Sequence, residues 1–437
     1  MKIFERYILG AAVPVMLIGA GVFFLIYLKF FFIVKPKRTF SPLFKKKKGN
    51  GVSSFGALTV ALAGTLGVGN IVGVSSALII GGPGSVIWML ISAFAAMVLK
   101  YAEILLAHRH RRFERGGISG GAMYYIEDYF GNGLGRVIAT VFAVFCLVNT
   151  FSMGCMLQSN AVSAAFCQVA DIQTWVIGAI LAVLCGIVIL KGVRDISPLT
   201  SVIIPIMTLV YISMSSLVIW QFRDNLGYVF SIMVKDAFAP ESAFGGVCGF
   251  LLSDQVRYGT MRGLLSNEAG CGTAPMAHAA SKAPKAAEQG IWGIIEVFVD
   301  TVLLCTLTAL VILLAFGDRI GNFNDLDEMK LVIASFGTVF GNAAEPMIFI
   351  MVFAFAFATI ICWAYYGSVT LGYITQNTKI HSAFKLIYIA GVFVGAMQIG
   401  KAVWQMADIA LAVMTIINIT MLFFMRKEIK EETEYYL

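Results

Sequence analysis

Long apolar segments are the feature of this chain that most restricts its fold. A helix needs roughly 20 residues to cross about 30 Å of hydrocarbon. Eleven apolar stretches of about that length occur between polar or Gly/Pro-containing turns, at approximately 8–34, 52–80, 84–107, 136–169, 174–190, 198–220, 243–265, 290–316, 345–375, 384–400 and 403–425. The alternating ten-residue pattern of a membrane barrel does not occur in the sequence. We therefore predict an all-α polytopic membrane protein with eleven transmembrane helices.

The composition agrees with lipid as the main solvent. Hydrophobic residues make up 59% of the chain and charged residues only 13%, which is too little charge for an ordinary water-soluble surface. The net charge of +7 comes from short clusters between apolar segments, so it does not indicate nucleic-acid binding. The eight cysteines stand singly, and we interpret them as packing residues, not as disulfides or zinc ligands. No cofactor is expected.

The orientation follows from the distribution of Lys and Arg over successive loops. If the first helix runs inward, the loops on the cytoplasmic side hold twenty of these residues, including Lys45–Lys48, and the loops on the other side hold seven. We expect the N-terminus outside and the C-terminus in the cytoplasm of a bacterial or archaeal inner membrane. The apolar run 8–34 is too long for the core of a signal peptide, so we expect it to be a retained helix.

The stretch AGTLGVGNIVGVSSALIIGGP, at 63–83, places four glycines around Asn70 within a spanning segment. Each glycine costs a helix interior about 1 kcal/mol relative to alanine, so the helix is expected to unwind here. Unwound backbone at membrane depth needs polar partners, and an amino-acid carboxylate and a cation are suitable partners for its N–H and C=O groups. The alternative is close helix packing, because Gly69 and Gly73 have small-xxx-small spacing.

A second interruption is the stretch RGLLSNEAGCGTAPMA at 262–277, which contains Asn267, Glu268 and Gly270. The two interruptions fall in the second and seventh segments, five helices apart, which indicates an inverted repeat of five plus five helices preceded by one extra helix. The predicted units are an extra helix with a basic loop, two five-helix repeats and a cytoplasmic tail, at 1–50, 51–220, 221–425 and 426–437. The alternative for the second stretch is a polar cytoplasmic loop.

Two carboxylates within one spanning segment are functional candidates, because a charge inside the bilayer is costly. Asp300 lies about ten residues into its helix, and Glu296 lies four residues earlier, on the same helical face. Together they can hold a proton or a cation between them. The alternative is that they bond to Arg257, to Arg262 or to hydroxyl groups. Glu103, near a helix end, is interpreted as an interfacial anchor.

Gln158 and Trp363 are polar or amphipathic side chains in the middle of spanning segments. They either bond to neighbouring helices or line a substrate cavity. The sequence contains no P-loop, nucleophile elbow or HExxH motif, which disfavours an ATP-driven pump and an intramembrane hydrolase. We therefore do not expect an enzyme.

At these same residues the sequence resembles the alanine or glycine:cation symporter family, also called the sodium:alanine symporters. The matching stretches are GTLGVGNIVGV (64–74), GGPGSVIWMLISAF with KYAE (to 103), GGAMYYIE (120–127), RYGTMRGLLSNEAGCGTAPMAHAA (257–280), VFVDT (297–301) and ATIICWAYYG (358–367). The resemblance implies a leucine-transporter-like fold. It also implies uptake of alanine, glycine or, in some members, glutamine, together with sodium.

The resemblance also implies roles for individual residues. The amino acid is expected at the broken first core helix and beside two side chains of other helices, at Gly67, Val68, Gly69, Asn70, Gly73, Gln158 and Trp363. Sodium is expected near Thr65 and Thr359.

Two hydroxyl residues that are usual in the family are replaced in this chain. Val68 stands where GTGN is usual, and Ala358 stands where the family usually has serine. Sodium is a hard cation that prefers oxygen ligands, so these losses, together with Glu296, leave coupling to a proton open.

The resulting hypothesis is a secondary active transporter that imports alanine or glycine, or else glutamine, with sodium by alternating access. The alternatives are a proton-coupled or sodium-independent amino acid transporter, or a transport-deficient receptor of the same fold. A channel is disfavoured, because it would need a continuous polar lining.

Overall fold

The computed structural model describes residues 12–44, 52–114, 117–170, 172–192, 196–238, 253–317, 327–397 and 401–437. Helices make up most of this part of the chain. Those of the first half are α1 (Val13–Tyr27), α2 (Phe31–Val34), α3 (Pro36–Phe40), α4 (Ser54–Thr65), α5 (Val72–Gly81), α6 (Gly84–Arg109), α7 (Ala122–Phe130), α8 (Leu134–Phe151), α9 (Gln158–Phe166), α10 (Thr174–Gly192), α11 (Ser197–Gln221) and α12 (Leu226–Ala237). The short strands β1 (Arg112–Glu114) and β2 (Gly117–Ser119) pair antiparallel after α6.

The second half begins at residue 253 in the part of the chain that is described. Its helices are α13 (Asp254–Asn267), α14 (Pro275–Ala279), α15 (Ala286–Val297), α16 (Thr306–Phe316), α17 (Glu328–Phe340), α18 (Ala344–Ile374), α19 (Thr378–Met397), α20 (Lys401–Phe424) and α21 (Arg426–Tyr436). Two helices continue through π-helical segments, at Ser152–Leu157 between α8 and α9 and at Phe298–Cys305 between α15 and α16. The predicted loop between the eighth and ninth segments contains α17.

Eight helices of the described residues are long and apolar enough to cross a membrane, or nine if the bent pair Ser54–Thr65 and Val68–Gly81 forms one span. The helix α1 has only 15 residues and α13 only 14. Residues 239–252, which include the start of the predicted seventh segment, lie outside the described residues, as does the basic cluster Lys45–Lys48. The all-α polytopic prediction is therefore confirmed, and the count of eleven helices stays a prediction.

The outer helices expose apolar side chains, as expected for a surface in contact with lipid. In the most apolar 18-residue stretch of α11, only 33% is buried inside the protein, and in that of α19 only 28% is buried. On α11, Val202, Ile206 and Leu209 are each more than half exposed. Apolar patches of this extent are unusual on soluble monomers, so these faces fit the hydrocarbon of a bilayer.

The helix α6 lies at the centre of the bundle, and 83% of its most apolar 18-residue stretch is buried. It packs closely against α13 and α15. A side-chain carbon added at Gly293 of α15 would lie 2.5 Å from Ile104 and 2.9 Å from Lys100 of α6. The absence of a side chain at Gly293 therefore allows α15 to approach α6 and brings the charged residues of the two helices together.

Candidate functional site

The predicted break in the second segment is present. The helix α4 ends at Thr65 and α5 begins at Val72, and the two are bent by 63°. Between them, Gly67 adopts an extended conformation and Val68–Asn70 form a single 3₁₀ turn. The glycines and Asn70 make continuous helix unfavourable here, and the surrounding helices bury the break.

Side chains from distant helices bond to the broken backbone. The Trp363 indole N–H donates to the Gly64 carbonyl at 3.3 Å. The Val68 N–H donates to Gln158 Oε1 at 3.1 Å, and the Thr359 hydroxyl lies 3.4 Å from the Leu66 carbonyl. These contacts supply partners for groups that a continuous helix would have bonded internally. The fold therefore brings Gln158, Thr359 and Trp363 together at the break.

The backbone at Gly67 lies so close to these side chains that a larger residue does not fit. An added side-chain carbon would lie 2.9 Å from Gln158 Oε1 and 3.0 Å from Thr359 Oγ1. Trp363 is held from the other side by Gly154, where an added carbon would lie 2.3 Å from the indole ring. Two glycines thus allow α9 and α18 to contact the break.

A small cavity adjoins the break, with about 20 Å³ of space for a water-sized molecule. Its lining consists of Gly64, Thr65, Gly67, Val68, Gly69, Val72, Gly73, Met153, Leu157, Gln158, Leu265 and Trp404. Six predicted site residues are in this lining, whereas Asn70, Trp363 and Thr359 lie behind it. The sequence reasoning missed Trp404, whose ring is stacked under the Arg262 guanidinium at 5.3 Å. The sequence did contain a signal for Trp404, since it is an amphipathic side chain near the start of the last apolar segment.

Asn70 points away from the cavity, into a buried polar cluster around Asp300. The Asn70 amide donates to Asp300 Oδ1 at 2.7 Å, and the hydroxyls of Ser266 and Thr301 donate to Asp300 Oδ2, each at 2.7 Å. Asn70 Oδ1 is buried and has no hydrogen-bond partner among the described residues. The Thr308 hydroxyl donates to the Asn70 carbonyl at 2.8 Å. The cluster therefore combines a carboxylate with an amide oxygen, hydroxyls and a carbonyl in one place.

The second predicted break is also present and adjoins the first. The helix α13 ends at Asn267, Glu268 has a left-handed φ of 51°, and Gly270 has a φ of 81°. The Asn267 amide donates to Thr301 Oγ1 at 3.0 Å, and Glu268 accepts from the Thr273 hydroxyl at 2.5 Å. The two breaks meet where Asn70 donates to Ser266 at 3.1 Å. Asn267, Glu268 and Gly270 do not line the cavity.

Glu296 and Asp300 bond to different partners, and Asp300 bonds to hydroxyl groups as the alternative expected. An ion shared by the two carboxylates stays a prediction. Glu296 lies 3.2 Å from Lys100 Nζ and 3.1 Å from His278 Nε2, whereas Asp300 bonds to Asn70 and to hydroxyls. Glu296 lies in α15 and Asp300 in the π segment Phe298–Cys305 that follows it. The basic partners of Glu296 are Lys100 and His278, not Arg257 or Arg262 as the alternative prediction had them.

The interpretation of Glu103 as an interfacial anchor is wrong. Its side chain is fully buried, and Glu103 Oε2 accepts from the Gly272 N–H at 3.0 Å and from the Asn418 amide at 2.7 Å. The buried backbone of the second break supplies one of these donors. Position along the helix alone did not reveal this, because α6 lies at the centre of the bundle.

Comparison with known proteins assigns the chain to a family. The family model for the sodium:alanine symporter family matches residues 1–437. The chain is 35% identical to an uncharacterized transporter of Haemophilus influenzae, over 99% of this chain and 94% of that protein. It is 33% identical to the sodium/alanine symporter AgcS of Methanococcus maripaludis, over 99% and 95% of the two chains. It is 31% identical to the probable sodium/glutamine symporter GlnT of Bacillus subtilis, over 94% and 85%. The chain belongs to the sodium:alanine symporter family of amino acid:cation symporters.

Proposed function

We propose that this protein imports a small neutral amino acid, alanine or glycine, with sodium by alternating access, and that glutamine is a weaker substrate. The observation that carries the proposal is the break between α4 and α5, two helices that are together long and apolar enough for one membrane span. The free backbone groups of this break bond to side chains of other helices, which a ligand can replace. The names of the relatives AgcS and GlnT support this substrate class. The chemistry is binding and movement, with no bond made or broken.

The substrate carboxylate takes the place of Gln158 Oε1 at the Val68 N–H, close to the positive end of the α5 dipole. Its ammonium group is bonded by the Gly64 and Leu66 carbonyls, which now accept from Trp363 and Thr359. About 20 Å³ of space holds roughly one water. Binding therefore requires side chains such as Trp404 to move. The limited space beside Gly67 favours a small side chain.

The sodium ion binds beside Asp300. The carboxylate supplies the negative charge, and Asn70 Oδ1 is a buried oxygen without a partner in the described part of the chain. A second candidate position lies near Thr65, which lines the cavity, and Thr359, whose hydroxyl is 3.4 Å from the Leu66 carbonyl. Asn70 belongs to the broken helix and also contacts Asp300, so that ion binding favours the substrate-competent conformation and the two ligands raise each other's affinity.

The proposed architecture is a five-plus-five inverted repeat, at 51–220 and 221–425, which follows one extra helix and precedes a tail at 426–437. The N-terminus lies outside and the C-terminus lies in the cytoplasm. Arg109, at the end of α6, pairs with Glu428 of α21 at 2.7 Å. This contact supports the placement of the basic loop after α6 and of the tail on one side of the membrane.

The test is uptake of radiolabelled alanine into proteoliposomes with an inward sodium gradient, with potassium in place of sodium, and with a pH gradient alone. We expect sodium to raise uptake by roughly 5–150-fold, the range that typical coupling free energies of about 1–3 kcal/mol correspond to. Unlabelled glycine should compete, and glutamine should compete more weakly.

Asp300→Asn should remove most of the sodium stimulation. Glu434→Gln, on the exposed side of α21, is the control that should keep it. Equal uptake in sodium and in potassium would refute sodium coupling. Alanine binding without any uptake would instead support a receptor.

A further inference from the structure

A second group of buried charges lies apart from the cavity, with Lys100, His278 and Glu296 at its centre. All three side chains are fully buried. Lys100 Nζ lies 3.2 Å from Glu296 Oε1, and His278 Nε2 lies 3.1 Å from Glu296 Oε2. Glu296 is therefore held between a lysine and a histidine. The cavity and the Asp300 cluster do not use His278.

The charges of this group do not balance. The charges close to Lys100 are those of Glu296, Glu103 and Glu268, and the Cys271 thiol is also near Lys100. The groups that interact electrostatically with Glu296 from other elements include Asp300 of the π segment and Cys362 and Tyr366 of α18. The Arg111 guanidinium contacts His108 and the Ala279 carbonyl next to His278. Lys100 compensates one of the three nearest carboxylates, those of Glu103, Glu268 and Glu296. A buried carboxylate without a compensating charge is costly, so the group favours the uptake of a proton.

Gln289 provides the means to stabilise either charge state of His278. Its side-chain nitrogen lies 2.6 Å from His278 Nδ1, so in this orientation the amide donates and His278 carries its proton on Nε2, facing Glu296. Gln289 Oε1 is buried and has no hydrogen-bond partner among the described residues. If the amide turns over, Oε1 accepts from a protonated Nδ1 and the imidazole becomes an imidazolium.

We propose that His278 and Glu296 form a proton-binding site that loads and releases one proton during the transport cycle. A proton from water adds to His278 Nδ1, the Gln289 amide rotates, and the imidazolium forms an ion pair with Glu296; release reverses these steps. The Arg111 guanidinium, which donates to the Ala279 and Ser281 carbonyls at 3.2 and 2.6 Å, places this site close to the end of α6 that the proposed topology puts on the cytoplasmic side.

The site has a direct connection to the second break. Lys100 Nζ donates to the Asn267 carbonyl at 2.8 Å, and the Asn267 amide bonds to Thr301, the neighbour of Asp300. Protonation of the pair weakens the hold of Glu296 on Lys100 and so alters the end of α13. The link to transport rests on the proposed function, whereas proton binding itself does not.

Two measurements separate these points. The thermal stability of purified protein without substrate is followed as a function of pH, and sodium-driven alanine uptake is followed over the same range. We expect one titration step in both for the wild type, and its loss in His278→Gln. Gln289→Glu should move the midpoint up by about one to three pH units, because a carboxylate beside the imidazole favours its charged form.

Glu434→Gln is the matched control and should keep the wild-type step. An unchanged midpoint in Gln289→Glu would overturn the proposal, and this variant decides the question if His278→Gln does not fold. A step that persists in folded His278→Gln would overturn it as well. If the stability step moves as expected but the wild type does not transport alanine, the proton site stands and the proposed function fails.

Discussion

The contact between Gly67 and Gln158 gives the sharpest test of the broken-helix site. In Gly67→Ala, the added methyl would lie 2.9 Å from Gln158 Oε1, 3.1 Å from Gln158 Nε2 and 3.0 Å from Thr359 Oγ1. The Gln158 amide has to move away, which breaks its bonds to the Val68 N–H at 3.1 Å and to the Met153 carbonyl at 3.2 Å.

The lost hydrogen bonds determine the effect on the stability of the free protein. A buried donor left without a partner costs about 1–3 kcal/mol. The same methyl also obstructs the place where the substrate carboxylate approaches Val68. We expect alanine affinity to fall by roughly tenfold or more, since about 1.4 kcal/mol corresponds to a tenfold change. The assay is the dissociation constant of alanine for purified protein in sodium, together with uptake into proteoliposomes.

A double-mutant cycle isolates the clash. If Gln158 is the group that collides with the methyl, Gly67→Ala should lower the melting temperature little further in a Gln158→Ala background, because the two changes remove the same hydrogen bond. Gly337→Ala is the control, as an added carbon there meets nothing within 4 Å. Additive losses in the cycle, or wild-type alanine affinity in Gly67→Ala, would refute the reasoning.

Three further predictions test other contacts. Trp404→Ala should destabilise the protein by about 0.5–1 kcal/mol through loss of the cation–π contact with Arg262, whereas Trp404→Phe should keep most of this stability; equal melting temperatures of the two variants would contradict this. Asn418→Leu should destabilise the protein by about 1–3 kcal/mol, because Glu103 loses a buried donor; an unchanged melting temperature would contradict this. Burial opposes charging of His110, but its hydrogen bond to Glu428 and its other acidic contacts outweigh burial and raise its pKa. This stabilisation is fully present below about pH 6.5 and is lost as the pH rises through the raised value. His110→Asn should therefore lose less stability than the wild type between pH 6.5 and 9, and parallel melting curves would count against the contact.

The sequence predicted those parts of the site that depend on local backbone preference. Gly67 and Asn70 make continuous helix unfavourable whatever surrounds them, and the break is present where these residues predicted it. The second break at Asn267 followed from the same reasoning. Both predictions rest on the free-energy cost of placing glycine in a helix, which depends on the local sequence and not on distant contacts.

The parts that sequence reasoning missed depend on contacts between distant residues. Lys100 and Glu296 are nearly two hundred residues apart, and only the close approach of α15 to α6 at Gly293 brings them together. Helical spacing placed Glu296 and Asp300 on one face, but it did not reveal their separate partners, because Lys100 and Asn70 are distant in the sequence. Glu103 was assigned by its distance from a helix end, although the position of α6 in the bundle determines its burial.

The two π segments have a mechanical consequence for the site. One ends immediately before Gln158, and the other contains Asp300. The direction in which Gln158 points at the break, and in which Asp300 points into its polar cluster, therefore depends on locally underwound turns. Conversion of either turn to i→i+4 bonding would rotate the helix beyond it by about one residue position, roughly 100°. Such a change of winding moves Gln158 away from Val68, or Asp300 away from Asn70, while the rest of each helix keeps its backbone hydrogen bonds.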